Sequence, residues 1–210
     1  NPNLGRKILI SGKGRCNLTN IKDLDDFIAH YPGNGKFLFS SLLAFSNKDL
    51  IALFEKLGVK TKVERGGRVF PQSDSSHDVL NALRKALDSL GVHIMYNSRV
   101  KRLIIEQNQI KGLIFGNNSE KFHCDRVIIA TGGLSYPATG STGDGYKLAQ
   151  QAGHTITALK PSLVPLISPE PWIRDLQGLT LKNVEATVYF KQKKLATEFG
   201  EMLFTHYGIS

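Results

Sequence analysis

The chain has 210 residues, 41% hydrophobic and 21% charged, which argues against a disordered polymer and leaves room for one large domain or one and a part. Lysine and arginine number 27 against 18 aspartate and glutamate, and the resulting formal charge of +9 fits a phosphate-bearing partner, with nucleic acid as the first rival to weigh. Cys16 and Cys124 form neither a C-x-x-C pair nor a zinc spacing, so a disulfide framework and a structural metal are poorly supported and a reducing, cytoplasmic setting is expected.

In chain order, "NPNLGRK" reads as the middle of a connection, and with an end at "FTHYGIS" the chain is expected to be an internal segment of a longer protein. The short apolar run before Ser11 predicts a strand that ends in the glycine loop "SGKGRCN" (11–17), flanked by Arg6, Lys7, Lys13 and Arg15. Leu24, Phe27, Ile28 and Tyr31 then fall at helical spacing, with "YPGNG" as the stop. "FLFSSLLAF" follows, and Ser46 with Asp49 predicts a capping box ahead of Leu50, Leu53, Phe54 and Leu57, closed by Gly58. These segments make a helical cluster at about 21–58.

"KTKVERGGRVFP" alternates about Gly66 and Gly67 as a hairpin should. Val79, Leu83, Leu87 and Leu90 form the stripe of the next helix, capped by Ser75 or Ser76 and stopped by Gly91. "VHIMYN" predicts a short strand, and 99–124 predicts three antiparallel strands with turns at Asn108 and at Gly116 to Asn118. Val127 to Ala130 is a continuous apolar run ending in Thr-Gly-Gly, the pattern of a buried parallel strand that delivers a loop to a ligand. "TGDGYKLAQQAG" gives a further glycine loop entering a helix. From Lys160 the prolines 161, 165, 169 and 171 and the β-type runs "NVEATVYF", "KLATEF" and "MLFTHY" predict a second, β-rich domain, so that 1–160 and 161–210 divide the chain. No apolar run approaches the ~18 residues of a membrane span, and no leader pattern opens the chain; no membrane partner is expected.

Single motifs say little about chemistry. "SGKGRCN" fails the P-loop spacing because Gly14 follows Lys13, and it fails G-x-G-x-x-G because Asn17 holds the last position. Cys16 lacks a neighbouring thiol and reads as a small buried residue. His206 beside a strand reads as structural, with proton donation as the alternative. Asp144 at a helix start is either a cap or a partner for sugar or polyol hydroxyls, since a phosphate would repel it. The remaining basic residues, among them Lys60, Lys62, Arg65 and Arg68, Arg99, Lys101 and Arg102, and Lys191, Lys193 and Lys194, alternate with apolar positions as on solvent faces. No aromatic platform is evident beside them, so no nucleic-acid partner is expected.

Taken together, "GRKILISGKGRCNLTN", "ATGGLSYPATGSTGDGYKLAQQAGH", "PSLVPL" and "GEMLFTHYGIS" closely resemble the YhiN/BaiN-type (aminoacetone oxidase-like) FAD-dependent oxidoreductases, in order and across essentially the whole chain. The resemblance implies an α/β fold of the glutathione and fumarate reductase class: a Rossmann-like FAD-binding domain with a β-meander and a helical cluster, followed by the start of an inserted β-barrel-like domain. It assigns Arg6, Lys7, Ser11, Gly12, Gly14, Arg15 and Asn17 to the pyrophosphate and flavin side, and Val100 to the adenine through its backbone. Thr131, Gly132 and Gly133 would line the cleft, and Gly143, Asp144 and Gly145 match the second loop. Lys13 departs from the family pattern, which has glycine there.

The expected activity is that of a flavoprotein oxidoreductase acting on a small organic substrate, with NADH or NADPH as candidate reductant and no catalytic base assigned. A basic non-enzymatic nucleic-acid-binding module and a flavin-fold remnant acting in protein interaction are the rivals.

Overall fold

Gly5 decides how the chain begins. Its left-handed backbone (φ 66°) caps a five-residue helix, α1 (Arg6–Ile10), where the sequence predicts a strand. A five-residue apolar run carries too little periodicity to separate the two states. Tertiary packing settles it: Ile8 lies against a buried cluster of Cys16, Phe54, Val59, Val79 and Ala82, and a side chain at position 5 would run into Leu80. The computed structural model describes residues 1–31, 33–116 and 120–210, which form two compact units, Asn1–Ile156 and Thr157–Ser210.

In the first unit, the helical cluster comprises α2 (Leu24–Ala29), α3 (Phe39–Ala44) and α4 (Asn47–Lys56). Asp23 caps α2, and the expected Ser46–Asp49 capping box starts α4: Ser46 Oγ accepts from the Asp49 amide while the Asp49 carboxylate accepts from the Ser46 amide. By length and composition Gly35–Lys56 is apolar enough to cross a membrane, although polar residues interrupt its apolar run. Its backbone turns extended at Phe45 (φ −147°, ψ 96°) before the capping box restarts the helix.

The predicted hairpin is present as β2 (Thr61–Val63) and β3 (Arg68–Pro71), and the two-residue β1 (Thr19–Asn20) pairs with the other side of β3. Val69 and Phe70 of β3 are fully buried. Next comes α5 (Ser76–Ser89), which buries Val79 and Ala82; Ser75 holds the cap position without a side-chain cap bond, and the buried Ser76 hydroxyl donates to the Leu9 carbonyl.

The meander forms as expected from β4 (Val100–Glu106), β5 (Gln109–Phe115) and β6 (Lys121–His123), all antiparallel. Gln107 and Asn108 both take positive φ, as a two-residue hairpin turn requires. Part of the second predicted turn, residues 117 and 118, lies outside the described residues, as does Pro32 of "YPGNG".

Two predicted strands are absent. "VHIMYN" (92–97) joins no ladder, and neither does Val127–Ala130, where Ile128 is 92% exposed. A buried parallel strand exists only where neighbours pair with it, and all ladders among the described residues are antiparallel. After it, α6 (Asp144–Gln151) is present as expected.

The second unit contains β7 (Leu166–Ile167), α7 (Trp172–Asp175), β8 (Thr180–Phe190), β9 (Lys193–Thr205) and β10 (Gly208–Ile209). The strands order as β7-β10-β9-β8 in an open antiparallel sheet; among the described residues no closed barrel forms. "KLATEF" and "MLFTHY", read as separate runs, are one long β9. Ile173 and Phe204 are the buried hydrophobic residues of this unit, with Trp172 tilted on Phe204 at 6.3 Å between ring centroids.

Candidate functional site

Two glycine turns meet where α6 begins. The Gly143 amide donates to the Gly133 carbonyl at 3.2 Å, joining the loop 131–133 to the α6 N-terminus. Gly143 is left-handed (φ 77°), and a Cβ there would lie 2.7 Å from the Leu134 side chain. At Gly145, a Cβ would collide with Thr131 Oγ1 and approach Ile129 at 3.0 Å. These glycines therefore let the first turn of α6 press directly on residues 129–134.

The start of α1 completes the wall. Lys7 Nζ donates to the Ser135 carbonyl and to the buried Ser141 hydroxyl, both at 2.7 Å, and so spans from α1 to the 131–141 loop. Arg6 lies on the same cleft, of about 480 Å³, together with Thr131, Gly132, Gly140 and Ser141. An adjoining cleft of about 440 Å³ shares Thr131 and Gly140 with it, and Val100, Leu113 and Ile129 line it together with Thr142 and the Arg99–Asp144 pair. The first cleft thus offers Arg6, Lys7 and the Ser141 hydroxyl, and the second sets aliphatic side chains and an ion pair next to Val100. That donor set fits a diphosphate joined to a flat ring system.

Asp144 lines the second cleft with its carboxylate already engaged by an arginine. Arg99 grips it through Nε–Oδ2 at 2.7 Å and Nη2–Oδ1 at 2.8 Å, and this bond holds the Asp144 carboxyl below its ordinary value while Arg99 is raised. The pair staples α6 to the residue just before β4.

The opening loop lies elsewhere. Ser11, Gly12, Gly14, Arg15 and Asn17 line neither of these clefts. Arg15 Nη1 binds Glu64 Oε1 at 2.7 Å and Asp74 Oδ1 at 3.2 Å, and its guanidinium stacks 4.1 Å from the Phe70 ring centroid. Its charge is spent on the β2–β3 hairpin and the turn after it. Lys62 also binds Asp74, at 2.5 Å, and this bond is the main cause holding the Asp74 carboxyl low. Ser11 Oγ donates to the Ile8 carbonyl, and the Asn17 amide, oriented to donate, reaches the Val69 and Thr19 carbonyls. Gly12, Lys13, Gly14 and Cys16 all take positive φ, and a Cβ on Gly12 would sit 2.7 Å from the Asn17 amide nitrogen. So the expected meeting of three glycine turns is corrected to two turns and the start of α1, with 11–17 tied to the hairpin by an ion-pair cluster.

Sequence reasoning missed Ser141, Arg99 and Gly140. "GSTGDG" places Ser141 two residues before the helix cap, which was a usable signal; the partnership of Arg99 with Asp144, 45 residues apart, carried none. Cys16 is buried as expected, and among the described residues no cluster of His, Cys, Asp and Glu could hold a metal ion.

An α/β unit whose glycine turns, helix N-terminus and paired cations surround a two-part cleft belongs to the nucleotide-cofactor class of folds. The sequence matches the family described as "HI0933-like protein Rossmann domain" over residues 1–207, and the chain belongs to that family, the YhiN/BaiN-type FAD-dependent oxidoreductases its motifs resemble. It is 36% identical over 209 residues to a 3-dehydro-bile acid delta(4,6)-reductase of Clostridium scindens. It is also 33% identical over 211 residues to a ribosomal RNA dihydrouridine synthase of Haemophilus influenzae, and 32% over 206 residues to the protein of the same name in Escherichia coli. Each alignment takes in 98% or 99% of this chain, but the chain spans about half the length of these curated relatives.

Proposed function

We propose that the whole protein is an FAD-dependent reductase that saturates a carbon–carbon double bond conjugated to a carbonyl. The cleft in which Lys7 joins α1 to the 131–141 loop carries this reading, because it sets a fixed cation and hydroxyls beside a second recess bounded by Val100, Leu113 and Ile129. Lys7 and Arg6 would face the pyrophosphate, Thr131, Gly132 and Gly133 would line the cofactor, and Val100 would meet the adenine. Gly143 and Gly145 act indirectly by letting α6 close on the loop. Bound FAD supplies hydride-transfer chemistry that no side chain can supply. The role of this chain is to orient the cofactor and neutralise its phosphates; Lys7 is held in place by two acceptors before any ligand arrives.

The names of the relatives support the choice of bond. A 3-dehydro-bile acid delta(4,6)-reductase removes ring double bonds from a 3-oxo steroid, and dihydrouridine is uridine with two hydrogens added across the ring double bond next to its carbonyl. Both names describe the loss of a ring double bond in a molecule that carries a ring carbonyl. A second reading of the substrate, uridine within RNA rather than a small enone, is favoured by the +9 charge and by the two dihydrouridine synthase relatives.

The test is to purify the whole protein and record its absorbance and its thermal shift with added FAD. Anaerobic reduction by NADH or by NADPH and then oxidation by a cyclic enone or by unmodified RNA should follow. Flavin colour and reoxidation by a conjugated acceptor are expected. A colourless protein with no FAD-dependent shift overturns the flavin reading, and a flavoprotein indifferent to both acceptors overturns the choice of bond.

A further inference from the structure

We propose that the tip of the β8–β9 hairpin is a contact surface for unpaired RNA, with Tyr189 and Phe190 stacking on bases and Lys191, Lys193 and Lys194 holding phosphates. This deepens the RNA reading of the substrate and rests on it. The surface lies wholly within the second unit.

Register creates the surface. Phe190 pairs directly with Lys193 and Tyr189 with Lys194, so each ring has a lysine beside it on its own face of the ribbon. Tyr189 is 62% and Phe190 61% exposed, and the three lysines are exposed as well. Lys191 Nζ stands 5.6 Å from the Phe190 ring centroid. No acidic residue occurs from 186 to 197, so nothing in that stretch offsets the three charges. The sequence pattern hid this platform because the strand alternation looked like an ordinary solvent face; only the turn position shows that ring and cation sit at one end.

The turn strengthens the case. Lys191 and Gln192 both adopt positive φ, 46° and 64°, which a two-residue hairpin requires and which Asn-Gly would adopt with less strain. The apex thus carries a cation, Lys191, at a left-handed position. A polar apex also argues against bilayer insertion, which would bury Lys191 and Gln192 ahead of the rings. Rings that stand behind the apex on two opposite faces suit bases splayed from a single strand, whereas stacked bases in a duplex present no open ring face.

The experiment uses the whole protein with its flavin and a fluorescein-labelled, unstructured RNA of random sequence, read by anisotropy across a salt series. Matched duplex RNA and vesicles of phosphatidylcholine with phosphatidylserine serve as comparison probes. Tyr189→Ser with Phe190→Ser should raise the Kd at least tenfold with little change in salt slope. Lys191→Gln, Lys193→Gln and Lys194→Gln together should lower the slope of log K against log salt by about 2, at ~0.7 per lost phosphate contact. Melting temperature and flavin content should stay at wild-type values, which separates lost contact from lost fold. If the wild type binds RNA and both variants bind equally well, the hairpin proposal is overturned while the RNA reading stands. If the wild type binds no RNA, both fall; binding to vesicles or duplex alone also overturns the hairpin proposal.

Discussion

Gly145→Ala tests the close approach on which the cleft depends, because two effects of known size oppose each other there. Inside an exposed helix the change is favourable by about 1 kcal/mol, since alanine loses less backbone entropy than glycine. Here, however, the added methyl would collide with Thr131 Oγ1 and meet Ile129 Cγ2 at 3.0 Å, and overpacking of this kind costs about 1 to 3 kcal/mol. The net expectation is a loss of up to about 2 kcal/mol, a fall of up to about 8 °C in melting temperature for a chain of this size. Thr131→Ala removes the colliding oxygen, the worst of the contacts, and leaves Ile129 Cγ2 at 3.0 Å and Cβ of residue 131 at 3.6 Å. The double variant should therefore recover most of the loss, giving a coupling of about 1 kcal/mol or more in a double-mutant cycle. Thermal unfolding of the four proteins, with and without FAD, measures this directly. If Gly145→Ala alone raises the melting temperature and leaves FAD affinity unchanged, α6 does not press on Thr131 and the reasoning about this cleft is wrong.

Lys7→Met should weaken FAD binding by tenfold or more, because a charge-assisted contact to phosphate is worth about 1.5–3 kcal/mol; isothermal titration measures it, and an unchanged Kd would remove Lys7 from the site. Arg15→Ala should lower thermal stability by freeing Glu64 and Asp74 from their shared partner, yet leave FAD affinity within about threefold; a loss as large as that of Lys7→Met would return Arg15 to the phosphates. Asp144 has a lowered folded pKa, caused first by its bond from Arg99, so its stabilising contribution is complete above the unfolded carboxylate value of about 3.9 and disappears as pH falls through the folded one. Asp144→Asn should accordingly destabilise the protein at pH 7 and make progressively less difference as the pH falls below the folded pKa, a comparison that acid-dependent melting curves supply.

Elements held by local signals were legible without tertiary information. The Ser46–Asp49 capping box, the hairpin about Gly66–Gly67, the meander with its turn at Asn108 and α6 after its glycine loop all depend on neighbours within a few residues. The motif string from Gly5 to Asn20 and from Ala130 to His154 likewise sufficed to place the chain in its family. Side-chain partnerships across long separations were not legible, because a lone arginine reads the same whether it meets a phosphate or a carboxylate. Tertiary structure alone commits Arg15 to Glu64 and Asp74 and Asp144 to Arg99. It also turns "KILI" into a helix, since packing against α5 outweighs the preference of a short apolar run, and it leaves Val127–Ala130 out of every ladder, since a strand is a relation between segments that no single segment can encode.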